Sequence, residues 1–222
     1  LFPDVGSTQF LNQVPYNLGY FLALTGIPIS AKDILFCRLA DFAIAQENTA
    51  LLVEKLLGLN YVENSEENHA LINELIATLA PHKGLLKPSE IQQNLHQLEQ
   101  SCQHNALCSI VDSIRSFDCD NPFLDRAKQT MLAGSPLSLV LIYEQLKRNR
   151  YLDLQSVFAS ELVLASNMAR HPEFAEGVRA LIIEKDKSPK WAYEHYTHIP
   201  CSVIESMFEP PWESNPLTGK LL

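Results

Sequence analysis

The sequence predicts a mostly α-helical chain. Through most of the 222 residues, apolar side chains recur at spacings of three and four, as they do on one face of a helix. Many of these segments begin with Ser, Asp, Asn or Pro and several end at Gly, the residues favoured at helix starts and ends. Only "DFAI", residues 41–44, has the character of a short buried strand. We therefore expect a series of helices and one short strand.

The first 60 residues contain four predicted helices, and three of them have a recognisable cap. The first is short and ends at Gly26, because glycine readily adopts the left-handed conformation that closes a helix. The second begins after Ser30, and Asp33 three positions later completes a variant of the capping box. The third has Gly58 as its C-cap. One further helix is predicted to start near Ser7.

The rest of the chain is predicted to be helical almost throughout. Three amphipathic segments cover residues 65–80, 87–102 and 106–117 and suggest a helical insertion between about 61 and 119. A helix from 120–136 leads to another that has Ser135 as N-cap and Pro136 at its first position. Two further helices are expected over 154–171 and 172–186, and a short one over 202–208.

Charge and hydropathy exclude two classes of partner. Acidic residues outnumber basic ones, 26 to 17, which gives a net charge of −9 and no positively charged stripe for a phosphate backbone. We therefore expect no nucleic-acid partner. The longest apolar runs are far shorter than the ~20 residues that span a bilayer, so no membrane partner is expected either.

The five cysteines predict free thiols in a reducing compartment. They are odd in number, widely scattered and contain no Cys-x-x-Cys pair. Cys102, His104, Cys108 and Cys119 do lie near one another in sequence, which raises the question of a metal site. Zinc sites use paired ligands at tight, regular spacings, and such pairs are absent. The pattern therefore favours core thiols and surface imidazoles, and we expect no metal.

Several motifs carry a family resemblance. In their order along the chain, they resemble the 3-hydroxyisobutyryl-CoA hydrolase branch of the enoyl-CoA hydratase/isomerase (crotonase) superfamily. The stretch from about 61 to 119 shows no specific match. The motifs are "LFPDVG", "LGYFLALTG", "ISAKD", "GSPLSLVLIYEQL" and "FAEGVRALIIEKDKSPKW".

The resemblance implies the C-terminal half of a crotonase-type α/β spiral fold. Residues 1–60 would end the family core, and residues 61–222 would form a helical C-terminal region that includes the insertion. In the family, an N-terminal half binds coenzyme A and supplies backbone N–H groups to the thioester oxygen, so we expect this sequence to be a fragment. The implied activity is hydrolysis of an acyl-CoA thioester in valine breakdown. No separate cofactor is implied, and a homo-oligomer is allowed. The implied location is cytoplasmic in a bacterium or the mitochondrial matrix in a eukaryote.

The resemblance also assigns site residues. A family glutamate lies shortly before the Leu-Phe-Pro-Asp turn, and Asp4 would complete an acidic pair over the acyl group, with Asp4 as the orienting acid. Phe2 would line the acyl pocket, while Pro3 and Gly6 would hold the acid on a rigid corner. The residues alone favour a simpler role for Asp4, as a turn residue or an N-cap for the helix near Ser7.

The sequence departs from the family pattern after this turn. Family hydrolases usually continue with glycines and later an arginine, whereas this chain has Ser7, Asn12 and Gln13. Because "STQF" is closer to the hydratase version, enoyl-CoA hydration remains an alternative activity. A second alternative is a non-catalytic helical interaction module in which Asp4 only caps a helix.

The segment "FAEGVRALIIEKDKSPKW" allows two interpretations. It could close the acyl pocket and bring Lys185 or Lys187 near the coenzyme A phosphates. Helical spacing favours a simpler interpretation, in which the charged residues 184–187 are solvated, Glu176 pairs with Arg179, and Trp191 is a packing anchor. In that case four apolar side chains are core residues: Phe174, Val178, Leu181 and Ile182.

Overall fold

A computed structural model describes residues 2–80 and 86–218, and every regular element in these ranges is helical. The prediction of a mostly α-helical chain is therefore confirmed. The helices are α1 (Ser7–Gln13), α2 (Leu18–Thr25), α3 (Ala31–Phe36), α4 (Thr49–Leu57), α5 (Ser65–Leu79), α6 (Glu90–Gln93), α7 (Leu95–Cys102), α8 (Leu107–Arg115), α9 (Pro122–Ala133), α10 (Pro136–Asn149), α11 (Leu154–Met168), α12 (Pro172–Val178) and α13 (Cys201–Met207). None of these described helices is long and apolar enough to cross a membrane.

The chain forms two compact units. One contains residues 1–27 together with 96–222, and the other contains residues 28–95. Neither limit falls at residue 60, where the family resemblance places the end of the core. That boundary refers to the organisation of the family's longer chains and stays a prediction.

Helix α10 lies in the core of the first unit. Its side chains are buried on nearly all sides from Leu137 to Leu146, as expected of a helix that is packed on every face. Leu164 and Met168 of α11 pack against it. Ile199 and Met207 complete this cluster from the C-terminal region. The unit is therefore built around a helix whose start the sequence predicted.

Local capping residues explain why several helices begin and end where they do. The Ser135 hydroxyl accepts a hydrogen bond from the Ser138 amide, and Pro136 occupies the first position of α10. At the end of α2, Gly26 has φ 57°, the left-handed conformation that glycine adopts without steric cost. Both caps were predicted, and both are confirmed.

Helices α1 and α2 approach each other closely at Gly19. A Cβ atom at this position would lie 2.0 Å from the carbonyl oxygen of Leu11 and 2.7 Å from its carbonyl carbon. Both atoms belong to the backbone of α1, so no rotation of a side chain could make room. The packing of α1 against α2 therefore requires glycine here.

Asp33 organises the second unit. One carboxylate oxygen accepts hydrogen bonds from the Ser89 hydroxyl at 2.6 Å and the Ile91 amide at 2.9 Å. The other accepts from the Ser30 amide at 2.8 Å and the Ser30 hydroxyl at 2.6 Å, and the Asp33 amide donates back to Ser30. This is the predicted capping box, which is confirmed. The same side chain also fixes the start of α6.

Asp33 should make the stability of this unit depend on pH. Burial opposes ionisation, but the hydrogen bonds from Ser30, Ser89 and Ile91 outweigh it and lower the pKa of Asp33. A carboxylate whose pKa is lowered in the folded state stabilises the fold at pH values above its unfolded-state pKa of about 3.9. This stabilisation is lost as the pH falls through the folded-state pKa. Asp33→Asn should therefore lower the free energy of unfolding by about 2 to 3 kcal/mol at pH 7, because an amide nitrogen would face N–H donors.

Urea denaturation followed by circular dichroism would test this expectation. The difference in free energy of unfolding between wild type and Asp33→Asn should shrink as the pH falls below about 4. Asp41→Asn is the matched control, since Asp41 is exposed and belongs to the same unit. If the difference in free energy of unfolding stayed constant below about pH 4, the proposed role of the Asp33 charge would be contradicted.

Two of the predicted elements before residue 103 differ from the structure. The segment 41–44 forms no strand; it lies among non-regular residues, because a strand needs a neighbour to pair its backbone groups and the described residues offer none. The segment 87–102 forms α6 and α7 rather than one helix, with a break at Asn94. The Asn94 side chain donates to the Glu90 carbonyl at 2.8 Å, a local bond of the kind that competes with helix continuation.

Candidate functional site

A tight turn carries Asp4 at the start of the first unit. The Ser7 amide donates to the Asp4 carbonyl at 2.9 Å, which closes a four-residue turn before α1. Val5 has φ 49° and Gly6 has φ 86° and ψ 0°, as in a type I′ turn. The Asp4 side chain is exposed and has no hydrogen-bond or ion-pair partner among the described residues. The turn therefore presents a free carboxylate at a fixed point of the backbone.

The backbone of this turn is strained at Val5. A β-branched residue in the left-handed region is unusual, and this conformation costs roughly 1 to 2 kcal/mol. Gly6 also takes a positive φ, but it does so without a Cβ. Space is limited there as well, since a Cβ on Gly6 would lie 3.1 Å from the Phe158 ring and 3.4 Å from Leu154. The turn therefore lies directly against α11.

Glu161 of α11 binds the turn through its carboxylate. The side chain is 2% exposed and accepts hydrogen bonds from the Gly6 amide, from the Thr8 amide at 3.0 Å and from the Thr8 hydroxyl at 2.6 Å. Gly6 is the N-cap of α1 and has no side chain to cap the helix. Glu161 therefore satisfies the first amides of α1 from a distant part of the chain, where the helix dipole also favours a negative charge.

The hydrogen-bond network continues away from the turn into the core. Asn149 at the end of α10 donates to the Thr8 hydroxyl at 3.0 Å, and Ser160 donates to the Asn149 side chain at 3.0 Å. Thr8 and Asn149 are both buried. The chain of donors runs from Ser160 through Asn149 and Thr8 to Glu161, and such chains strengthen each of their hydrogen bonds. The start of α1 is thus joined to α10 and α11.

The structure places the predicted site residues as follows. Asp4 is a turn residue through its backbone carbonyl, while the helix cap is Gly6, so the N-cap interpretation of Asp4 is wrong. Gly6 occupies the tight turn that the sequence predicted. Phe2 is half-buried and packs against the core cluster around α10 and α11, a contact that the motif did not predict. The catalytic and substrate-binding roles of Asp4, Phe2 and Gly6 stay predictions.

Two of the residues that depart from the family pattern, Ser7 and Asn12, belong to α1. The Asn12 side chain donates to the Leu146 carbonyl at 3.0 Å and so joins α1 to α10. Ser7 begins α1, and its hydroxyl oxygen is buried without a hydrogen-bond partner among the described residues. Neither the Asn12 contact nor the position of Ser7 selects between hydrolysis and hydration.

Glu161 is the residue that the sequence pattern failed to single out. For the segment that forms α11, the sequence predicts only a helix over 154–171. One signal was available, because Glu161 is the single charged residue of α11, a helix that is otherwise rich in apolar residues. Since a buried charge requires partners, a lone acid on such a helix indicates a specific contact elsewhere in the chain.

The C-terminal motif does not form the expected core face. Leu181 is 61% exposed, Ile182 is 65% exposed and Phe174 is 39% exposed, so the assignment of these three residues to the core is wrong. The α-helix ends at Val178 and continues as a π-helical turn over Arg179–Ile183, in which the Glu184 amide bonds to the Arg179 carbonyl. A π turn changes the angular spacing of side chains, so apolar positions chosen at a 3.6 period lose their common face.

Arg179 is the centre of the charged residues in this segment. Its guanidinium contacts Glu176, Glu184 and Asp186, which confirms the predicted pair with Glu176. The hydrogen bonds from Arg179 and from the Lys190 amide lower the pKa of Glu176 to about 2. Trp191 packs over Gly177, and its indole N–H faces the Ala133 carbonyl at 3.4 Å, which agrees with a packing anchor. The proximity of Lys185 or Lys187 to a coenzyme A phosphate stays a prediction.

All five cysteines carry free thiols, as the sequence predicted. Burial raises the pKa of Cys37 to about 11 and that of Cys102 to about 12, which keeps both thiols protonated and unreactive at neutral pH. Within residues 2–80 and 86–218, no group of three or more His, Cys, Asp or Glu side chains is arranged to hold a metal ion.

Comparison with known proteins gives consistent results over most of the chain. A family model described as enoyl-CoA hydratase/isomerase matches residues 1–208. The chain is 32% identical over 194 residues to the mitochondrial 3-hydroxyisobutyryl-CoA hydrolase of Homo sapiens, covering 86% of this chain and 48% of that protein. It is 27% identical over 210 residues to the protein of the same name from Dictyostelium discoideum, covering 94% and 53%.

Solved structures confirm the predicted fold. An enoyl-CoA hydratase from Rhodobacter sphaeroides matches with a TM-score of 0.74 and 23% identity, covering 95% of this chain and 57% of that one. A carnitinyl-CoA dehydratase from Mycobacterium thermoresistibile matches with a TM-score of 0.79 and 20% identity, covering 99% and 59%. The chain spans about half the length of the curated relatives it matches.

Proposed function

Because the chain belongs to the enoyl-CoA hydratase/isomerase family, we propose that the protein is an acyl-CoA thioester hydrolase that acts on 3-hydroxyisobutyryl-CoA or a close analogue. The names of its relatives support the reaction class. The structural observation that supports it is the Asp4 carboxylate, which lies free and exposed on a turn held by buried hydrogen bonds. Asp4 stands where the family motif has its acid.

The proposed chemistry gives Asp4 an orienting role. Thioester hydrolysis develops negative charge on the carbonyl oxygen, and a carboxylate activates water or attacks directly. With two carboxylates over the acyl group, one serves as the base while the other binds the substrate hydroxyl. We assign the hydroxyl to Asp4 and the base to the family glutamate that precedes the Leu-Phe-Pro-Asp motif. Phe2 and Gly6 would shape the acyl side of the same turn.

Enoyl-CoA hydration is the second candidate activity. The sequence after the turn favours it, because Ser7 to Phe10 is closer to the hydratase version of the motif than to the hydrolase version. Both reactions need an acid beside the acyl group of a coenzyme A thioester, and Asp4 is suited to either. The two activities differ in their product: only hydrolysis releases a free thiol.

The remaining assignments follow from the proposed reaction. Coenzyme A would enter as part of the substrate, so no separate cofactor is proposed. Valine breakdown is the proposed pathway. The proposed location is the mitochondrial matrix in a eukaryote, where the names of the relatives place those proteins, or the cytoplasm in a bacterium.

An assay of the protein expressed from its complete gene would test the proposal. Release of free coenzyme A thiol should be rapid with 3-hydroxyisobutyryl-CoA and much slower with isobutyryl-CoA, which lacks the 3-hydroxyl group. The same sample should be tested for loss of the enoyl chromophore of crotonyl-CoA. Hydration without thiol release would establish the second candidate. A folded protein inactive in both assays would overturn both activities and favour the non-catalytic helical module.

A further inference from the structure

Glu161 is a buried charge whose partners all lie in one place. Its side chain is 2% exposed, and among the described residues it forms no ion pair with Lys, Arg or His. A buried carboxylate without a cation is costly unless several donors compensate for lost water. The donors present are the Gly6 amide, the Thr8 amide and the Thr8 hydroxyl. The charge of Glu161 is therefore directed entirely at the turn that carries Asp4.

The two carboxylate oxygens divide these donors between the turn and the helix. One oxygen accepts from Gly6, the third residue of the turn, and the other accepts both bonds from Thr8, the second residue of α1. A bidentate arrangement of this kind fixes direction as well as distance. The Phe158 ring, on the same face of α11, closes the space behind Gly6. Together, these contacts define the position of the turn on α11.

The turn needs such an external restraint. Val5 is held at φ 49°, which a β-branched residue avoids unless the surrounding structure imposes it. If the restraint at Gly6 were released, Val5 would relax toward a negative φ and the neighbouring Asp4 would change direction. The exposed Asp4 side chain has no contact of its own among the described residues to prevent this.

We propose that Glu161 is a positioning residue for the reaction, which acts through the Gly6 and Thr8 amides to hold the Asp4 carboxylate in its working direction. Glu161 lies beneath the turn and is not exposed to substrate. This inference rests on the proposed function, because it assigns the direction of Asp4 to the same hydrolysis. We call the hydrogen bonds from the Gly6 amide, the Thr8 amide and the Thr8 hydroxyl to Glu161 the clamp. The inference predicts that loss of the clamp lowers turnover more than substrate binding.

Glu161→Gln is the most direct test, because it keeps the shape but turns an amide nitrogen toward an N–H donor. We expect kcat for 3-hydroxyisobutyryl-CoA to fall about 10- to 100-fold, with KM changed less than threefold, which corresponds to the loss of one or two oriented hydrogen bonds. Asp33→Asn is the matched control, since it also removes a buried carboxylate with several donors, but in the other compact unit. It should keep the kcat of the wild type.

Hydrogen exchange separates this inference from the proposed function. The Gly6 and Thr8 amides should exchange slowly in the wild type and much faster in Glu161→Gln. If the wild type shows no hydrolysis, the proposed function fails, and the exchange result still decides whether the clamp exists. If Glu161→Gln fails to fold, Thr8→Val replaces it, because that change keeps both backbone amides, removes only the hydroxyl that donates to Glu161 and accepts from Asn149, and should lower kcat a few-fold. Wild-type kcat in a folded clamp variant, or an equal loss of kcat in Asp33→Asn, would overturn the inference.

Discussion

Asp4→Asn should lower kcat/KM for 3-hydroxyisobutyryl-CoA by about 100-fold while leaving the fold unchanged. The side chain has no partner among the described residues, so the substitution should not disturb packing. In the proposed site, it replaces a charge-assisted hydrogen bond to the substrate hydroxyl with a neutral one. Such bonds contribute roughly 1.5 to 3 kcal/mol, which corresponds to about 10- to 150-fold in rate.

Two substrates would show what Asp4 does. If Asp4 orients the hydroxyl, the loss should be large with 3-hydroxyisobutyryl-CoA and small with isobutyryl-CoA. An equal loss with both would assign general-base chemistry to Asp4 instead, and wild-type rates would remove it from the site. Asp41→Asn makes the same change of charge at an exposed position in the other unit and should behave as wild type.

Among the glycines that the structure describes, Gly19 should be the one at which substitution by Ala destabilises the fold most. The new Cβ would lie 2.0 Å from the Leu11 carbonyl oxygen, a distance that real Cβ atoms essentially never show, and the neighbouring atoms are backbone. Relief requires α1 and α2 to move apart. We expect the free energy of unfolding to fall by about 3 kcal/mol or more, at the upper end of overpacking costs.

Gly58→Ala provides the comparison. Gly58 ends α4 with φ −88°, and its Cβ would lie 3.6 Å from the nearest carbonyl oxygens, which is an ordinary contact. The unfolding free energy should therefore stay within about 1 kcal/mol of the wild-type value. Urea denaturation of both variants measures the difference. Equal stability of Gly19→Ala and wild type would contradict the close approach of α1 and α2.

Local chemistry made much of the fold predictable from the sequence. Helix starts at Ser30 and Ser135 and the helix end at Gly26 depend on residues within four positions of one another, so a short stretch contains all the information needed. The predictions of a strand at 41–44 and of a core face at Leu181 were wrong because they depend on more than a short stretch of sequence. A strand depends on a partner elsewhere, and a face depends on the helical period staying constant.

The candidate site was predictable only in part. Asp4 and Gly6 lie in a recognisable motif with turn residues, and the structure confirms the turn. Glu161 contacts that turn from 155 positions away, and no spacing rule connects such residues. The Gly6–Phe158 contact is equally non-local. The residues proposed to act on the substrate can therefore stand out in sequence, while those that hold the turn in place emerge only from the fold.

The separation between Gly6 and Glu161 has a consequence for how the protein is made. Ribosomes add about 5 to 20 residues per second, so roughly 8 to 30 s pass between the synthesis of the turn and that of its carboxylate partner. During that interval, α11 is not yet present to hold Val5 in its left-handed conformation. Contacts of such long sequence separation also slow folding. The acid is thus translated well before the residue that fixes its geometry, which can be set only after α11 has been made.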